Sequence, residues 1–203
     1  LPHYAHLLVE PAVLVKDIYT GSNSSNPSNL TNVNGKLYFR ATDATNGNEL
    51  WKSDGTAAGT VLVKDIYTGS NTSSSPTSLT NVNDTLYFQA NDGTNGTELW
   101  KTDGTAAGTV MVKDIATGGD SYPSNLTNVN GTLYFGATDG TNGTELWKTD
   151  GTAAGTVLVK DINTGGNSSP NYLTYVNGTL YFTAYDATNG TELWKTDGTA
   201  AGT

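Results

Sequence analysis

The apolar positions of this chain fall in short runs, and the runs recur. In one stretch Leu79-Thr80-Asn81-Val82 is followed by Leu86-Tyr87-Phe88-Gln89-Ala90, then Glu98-Leu99-Trp100-Lys101-Thr102, then Val110-Met111-Val112-Lys113-Asp114-Ile115. None shows the three-to-four spacing of a helix face, and each has the length and β-branched or aromatic content of a strand. Between them stand Asn83-Asp84, Asp92-Gly93-Thr94-Asn95-Gly96 and Asp103-Gly104-Thr105-Ala106-Ala107-Gly108. Asn, Asp and Gly tolerate the positive φ of tight turns, so the pattern predicts four antiparallel strands joined by turns. The first junction reads as a two-residue hairpin, with Asn34-Gly35, Asn130-Gly131 and Asn177-Gly178 in the same place elsewhere.

The pattern occurs four times. Glu-Leu-Trp-Lys-(Ser/Thr)-Asp-Gly-Thr-Ala-Ala-Gly-Thr stands at 49–60, 98–109, 145–156 and 192–203. A short apolar run follows the first three copies, and a matching run, Val13-Leu14-Val15-Lys16-Asp17-Ile18, precedes the first unit. This divides the chain into an extension (1–12), a displaced fourth strand (13–18), three full units (19–66, 67–115, 116–162) and a fourth (163–203) without its last run. Leu86 and Phe88 point to one face and Tyr87 to the other, as in a sheet covered on both sides. A four-stranded antiparallel unit with an aromatic at a fixed position matches a propeller blade. The expected fold is therefore all-β: four tandem four-stranded blades, the fourth completed by residues 13–18 of the same molecule or of a neighbour. An open linear stack is the alternative, and contact between units four and one discriminates the two.

Composition narrows the partners. The formal charge is −9, and the 10 Lys and Arg residues recur at repeat positions, so no basic patch for nucleic acid forms. There is no cysteine, which removes disulfides and thiolate metal sites. No run is apolar enough to span a membrane as a helix. The chain begins with Leu and shows no basic-then-apolar leader, so any signal peptide is expected to be already removed.

The Glu-Leu-Trp-x-x-Asp-Gly-Thr repeats resemble those of the bacterial ELWxxDGT repeat proteins, and the resemblance covers residues 13–203. It implies an extracellular or cell-surface location and a β-propeller-like array. It implies little about activity, because fold does not fix function. The chain has four units where longer arrays are usual in that family.

Candidate chemistry is sparse. The histidines are His3 and His6, both outside the repeats, so no Ser-His-Asp constellation is expected within the array. Carboxylate pairs recur at Asp43/Glu49, Asp92/Glu98, Asp139/Glu145 and Asp186/Glu192, each bracketing a turn with Asn46, Asn95, Asn142 or Asn189. Their hard oxygens suit calcium as a cofactor. Asx capping of the turn is the simpler account, and four equivalent copies argue against one catalytic pair. Trp51, Trp100, Trp147 and Trp194 could stack on sugars or pack between blades. Sequons in polar loops make Asn23, Asn29, Asn71, Asn125 and Asn167 candidate glycosylation sites.

Residues Leu7, Leu8, Val9, Val13, Val15 and Ile18, with Leu193 at the other end, form the candidate assembly interface. A strand added from a neighbour would give a head-to-tail ring or filament. The expected function is a non-enzymatic, structural extracellular repeat protein whose partners are copies of itself. The alternative is a lectin-like propeller that binds glycans.

Overall fold

The computed structural model describes residues 11–203. Blade one contains β1 (Ser28–Val33), β2 (Lys36–Asp43), β3 (Gly47–Ser53) and β4 (Val61–Lys64). Blade two contains β5 (Thr77–Val82), β6 (Thr85–Asn91), β7 (Thr97–Thr102) and β8 (Val110–Lys113). Blade three repeats this as β9 (Ser124–Val129), β10 (Thr132–Thr138), β11 (Thr144–Thr149) and β12 (Val157–Lys160). Blade four has β13 (Asn171–Val176), β14 (Thr179–Asp186) and β15 (Gly190–Thr196). Each sheet is an antiparallel meander in sequence order. The all-β fold of four tandem antiparallel blades is as the sequence predicts.

Turn chemistry sets the register. Asn34 and Gly35 have φ of 49° and 78°, the double left-handed conformation of a tight hairpin, and Asn83-Asp84 shows the same sign at both positions. This pairs Val33 with Lys36 and Thr31 with Tyr38 across β1 and β2, while the turn between β2 and β3 sets Phe39 opposite Trp51. On the other side of β3, Leu50 pairs with Lys64 and Trp51 with Leu62, so one extra residue bulges out of β4. The fourth strands end at Lys64, Lys113 and Lys160, two residues short of the sequence expectation. The Ile66 backbone has turned away from the ladder to donate its N–H to the Glu49 carboxylate.

Both faces of every blade carry apolar side chains, and the blades pack in series. Val33, Tyr38, Leu50 and Val63 of blade one meet Leu86, Phe88, Ala90 and Trp100 of blade two. The same arrangement joins blade two to blade three and blade three to blade four. Fully burying a side chain such as Leu86 or Phe88 contributes about 1.5–3 kcal/mol, so the junctions hold much of the apolar stabilisation.

The displaced run behaves differently from its expected role. Residues 13–18 form no strand and do not complete blade four, whose sheet has, among the described residues, three strands with β15 at its edge. They lie against blade one, where Ile18 packs beside Phe39, Ala41 and Trp51. The reason is the open path of the array. β1 packs on β5, β5 on β9 and β9 on β13, and among the described residues no core cluster joins blade four to blade one. No helix among the described residues is long and apolar enough to cross a membrane.

Candidate functional site

The glutamate of each Glu-Leu-Trp segment makes a buried junction. Glu49 faces Ala41 across the β2–β3 ladder, and its side chain is buried. Its Oε1 accepts the Ser74 N–H at 2.7 Å; its Oε2 accepts the Ile66 N–H at 3.2 Å and the Ser74 hydroxyl. Glu98 holds Ile115 and Ser121 in the same way, with N–H donors at 3.0 and 3.1 Å and the hydroxyl at 2.6 Å. Glu145 holds Ile162 and Ser168. Each carboxylate thus pins the end of a fourth strand to the loop that leads into the next blade, through charge-assisted bonds. The loop serine passes the connection on: the Ser74 carbonyl accepts the Asn91 N–H of blade two at 3.0 Å. Burial pushes the Glu49 carboxyl up to about 7, against the donors of Ser74 and Ile66 and helped by nearby Asp65. Burial raises Glu98 and Glu145 in the same direction.

The aspartates of the expected pairs do separate work. Asp43 Oδ1 accepts the N–H groups of Thr45 and Asn46 at 2.9 and 2.6 Å, and Oδ2 accepts the Asn46 amide at 2.7 Å. Asp92 with Asn95, Asp139 with Asn142 and Asp186 with Asn189 repeat this cap. Burial works against Asp43, yet the Asn46 and Thr45 donors hold its carboxyl below the usual range. In the three complete blades the aspartate oxygens serve the turn while the glutamate oxygens face the inter-blade loop, so the candidate calcium ligands are not gathered into one cage. Among the described residues no group of three or more His, Cys, Asp and Glu side chains could hold a metal.

Lysines supply the rest of the junction. Lys52 of β3 donates to the Gly104 carbonyl in the Asp-Gly-Thr turn of blade two at 2.7 Å, and Lys101 and Lys148 reach Gly151 and Gly198 at 2.8 and 2.7 Å. Lys64 of β4 donates to the Thr109 carbonyl at 2.8 Å and lies over the Trp100 ring at 5.9 Å. Trp51, Trp100 and Trp147 are buried, and Trp194 is partly so. The first three rings are committed to packing and leave no open face for a sugar.

Among the described residues, each end of the array shows one half of this junction. At one end Lys16 donates to the Thr60 carbonyl at 2.6 Å, as Lys64 does to Thr109 and Lys113 to Thr156. The Ser25 carbonyl accepts the Thr42 N–H at 2.8 Å, as Ser74 accepts from Asn91. Asn26 has φ of 45°, matching Ser75 at 50°, Tyr122 at 46° and Ser169 at 48°. Residues 13–27 therefore sit on blade one as the fourth strand and loop of a preceding blade. They leave Val13 and Leu14 exposed and frame a groove of about 220 Å³ with Ile18, Leu30, Leu37 and Phe39. At the other end Leu193 is 72 % exposed, whereas its counterparts Leu50, Leu99 and Leu146 are 0 % exposed. Glu192 is exposed as well.

Of the expected assembly residues, Val13, Val15 and Ile18 lie at the first end and Leu193 at the other, and the structure does not bring the two sets together. Leu7, Leu8 and Val9, with His3 and His6, lie outside the described residues. The sequon residues Asn23, Asn29, Asn71, Asn125 and Asn167 are all exposed. Asn29 and Asn125 nevertheless spend their amides on the Pro76 and Pro170 carbonyls of the following blade. Sequence reasoning missed the serines that hold the glutamates and the lysines that bridge blades. A signal existed, since Glu49 and Ile66, Glu98 and Ile115, and Glu145 and Ile162 share one spacing.

No family model and no curated protein matches the chain. Solved structures do. A puromycin hydrolase matches with TM-score 0.57 at 14 % identity, over 85 % of this chain and 27 % of that one. A prolyl endopeptidase matches with TM-score 0.52 at 13 % identity, over 81 % of this chain and 23 % of that one. A GH43 endo-arabinanase from Bacillus licheniformis gives TM-score 0.39 at 19 % identity, over 88 % of this chain and 73 % of that one. The chain thus spans about a quarter of the length of the hydrolases in the first two matches. These matches correct the expectation of a non-enzymatic protein: the shared fold is one that hydrolases carry, so repetition in the sequence is no ground for excluding catalysis. At such identities the likeness shows the fold alone.

Proposed function

We propose that this chain is an extracellular repeat scaffold of the ELWxxDGT type that associates with copies of itself head to tail. The forward face of blade four would seat on the rear face of blade one, continuing the series of blades. The observation that supports this most is the exposure of Leu193, on a position buried in every other blade, beside the edge of β15, which no described strand pairs. An open strand edge with apolar neighbours is a template for strand addition. Burying Leu193 alone would contribute about 1.5–3 kcal/mol before the cost of association. Glycan binding at the blade junctions is the other reading, and it would use the polar rim of Asn29, Ser78 and Asn125 rather than the tryptophans.

Sedimentation velocity across a range of protein concentrations tests the reading. The mass-average sedimentation coefficient should rise with concentration and keep rising, because a head-to-tail contact that does not close adds subunits without limit. A single monomeric boundary at every concentration would refute it.

A further inference from the structure

The turns that shape each blade are also its most reactive peptide bonds. In an Asn-Gly or Asp-Gly pair the glycine nitrogen can attack the preceding side-chain carbonyl carbon, because glycine has no Cβ to block the approach. Asn-Gly stands at 34–35, 46–47, 95–96, 130–131, 142–143, 177–178 and 189–190, and Asp-Gly in all four Glu-Leu-Trp segments.

Two kinds of hydrogen bond oppose that attack. One holds the side chain. Asn46, Asn95 and Asn142 donate their amides to Asp43, Asp92 and Asp139 at 2.7 Å, and Asn189 donates to Asp186 at 2.8 Å. The other holds the glycine N–H. Gly55 donates to the Ser53 hydroxyl at 3.0 Å, and Gly104, Gly151 and Gly198 donate to Thr102, Thr149 and Thr196 at 2.9 Å. In the β1–β2 and β9–β10 hairpins, Gly35 and Gly131 donate to the Oδ1 atoms of Asn32 and Asn128 at 3.0 and 2.9 Å. The nitrogen must give up its proton as it attacks, and an acceptor on the N–H disfavours that loss.

Asn177-Gly178 lacks this second bond. Its turn has the same double left-handed backbone, with φ of 47° and 90°, and the same Val-Asn-Gly-Thr sequence as residues 129–132. Tyr175, however, stands where Asn32 and Asn128 stand in the other hairpins. Its hydroxyl reaches blade three, where it accepts the Asn130 amide at 2.6 Å. Among the described residues no side chain accepts the Gly178 N–H. The cause is a residue of the hairpin itself, so it is independent of what lies next to blade four.

We infer that Asn177 is the deamidation site of this chain, with water as the co-reactant. The Gly178 nitrogen bonds to Asn177 Cγ, the Cγ–Nδ2 bond breaks, and ammonia leaves with the glycine proton. Water then opens the cyclic imide at either carbonyl, leaving an aspartyl or an isoaspartyl residue in place of Asn177. The isoaspartyl link adds a carbon to the main chain of a two-residue turn that sets Val176 opposite Thr179. Conversion therefore puts a negative charge and a lengthened turn at the tip of β13 and β14.

Peptide mapping by tandem mass spectrometry, on samples held for increasing times in mildly alkaline buffer, tests it. Asn177 should convert roughly 2- to 10-fold faster than Asn34, the factor that one hydrogen bond is worth. Tyr175→Asn supplies the acceptor and should slow Asn177 to the rate of Asn34. Asn32→Ala removes an acceptor and should quicken Asn34 to the rate of Asn177. In concentrated urea Asn130 and Asn177, whose neighbours are identical, should convert equally, which assigns the difference to the fold. Equal rates at Asn34 and Asn177 in the folded parent chain would overturn the inference, as would a lead for Asn177 that survives in urea or in folded Tyr175→Asn. Every rate is read against another Asn-Gly pair of the same molecule, and Asn32→Ala keeps the test decisive should Tyr175→Asn fail to fold.

Discussion

Stability should fall as pH rises from about 4.5 to about 7, and Glu49→Gln should remove a defined part of that fall. The Glu49 carboxyl titrates near the ordinary glutamate value of 4.5 in the unfolded chain and at about 7 in the folded one. Between these values the folded state holds a proton that the unfolded state has released. The slope of unfolding free energy with pH is then negative. The contribution is fully present below 4.5 and is lost as pH passes through about 7. At about 1.4 kcal/mol per unit, Glu49 alone accounts for a loss of about 3 kcal/mol. Glu98 and Glu145, raised by burial, act in the same direction. Asp92 and Asp139, held low by their turns despite burial, act at more acidic pH and leave this window clear.

The assay is urea denaturation followed by tryptophan fluorescence at several pH values between about 4 and about 8, spanning the window. Glu49→Gln keeps the shape of the side chain but cannot ionise, so its stability should vary less with pH by about the Glu49 share. Its stability at pH near 5 should be somewhat lower than that of the parent chain, because a carboxamide nitrogen is set against donor groups of Ile66 and Ser74. Parallel pH profiles for the two proteins would refute the reasoning. They would mean that the three donors outweigh burial and keep Glu49 ionised throughout.

Two further outcomes follow from the junction geometry. Gly104→Ala and Gly55→Ala face the same backbone strain, with φ of 91° at each, but a Cβ at Gly104 would lie 2.2 Å from the Tyr38 hydroxyl and one at Gly55 would meet nothing within 4 Å. Gly104→Ala should therefore lower stability by about 1–2 kcal/mol more than Gly55→Ala in denaturant titrations, and equal losses would show that Tyr38 does not lock the two blades. Thermal melts in calcium and in excess chelator should coincide, since the Asp43, Asp92 and Asp139 oxygens already serve their turns; a chelator-sensitive midpoint would show a cation site among the loops.

Much of the fold was legible because local chemistry and the repeat point the same way. Asn34-Gly35 demands a tight hairpin, and the alternation of Leu86, Tyr87 and Phe88 demands a sheet covered on both faces, whatever lies further along the chain. The bulge in β4 was not legible, since Val61-Leu62-Val63-Lys64-Asp65-Ile66 reads as one uninterrupted strand. Only the demand of the buried Glu49 for a donor explains why the backbone leaves the ladder before Ile66. The same holds for the carboxylate pairs. Asp43 and Glu49 are close in sequence, but the oxygens of one are taken by its own turn and those of the other by a loop some twenty-five residues on, a separation that no local pattern reveals.

The placement of residues 13–18 shows why the repeat alone misled. Sequence identity with the other fourth strands states what kind of element this is, and says nothing about which neighbours it has. A fourth strand has two attachments here: β4 pairs with β3 of its own blade, and its Lys64 reaches across to the Thr109 carbonyl of the next. The sequence argument considered only the first attachment and so assigned residues 13–18 to blade four. The structure makes the second, through Lys16 and Thr60, and assigns them to the junction in front of blade one. The two attachments are compatible, because every internal fourth strand makes both at once.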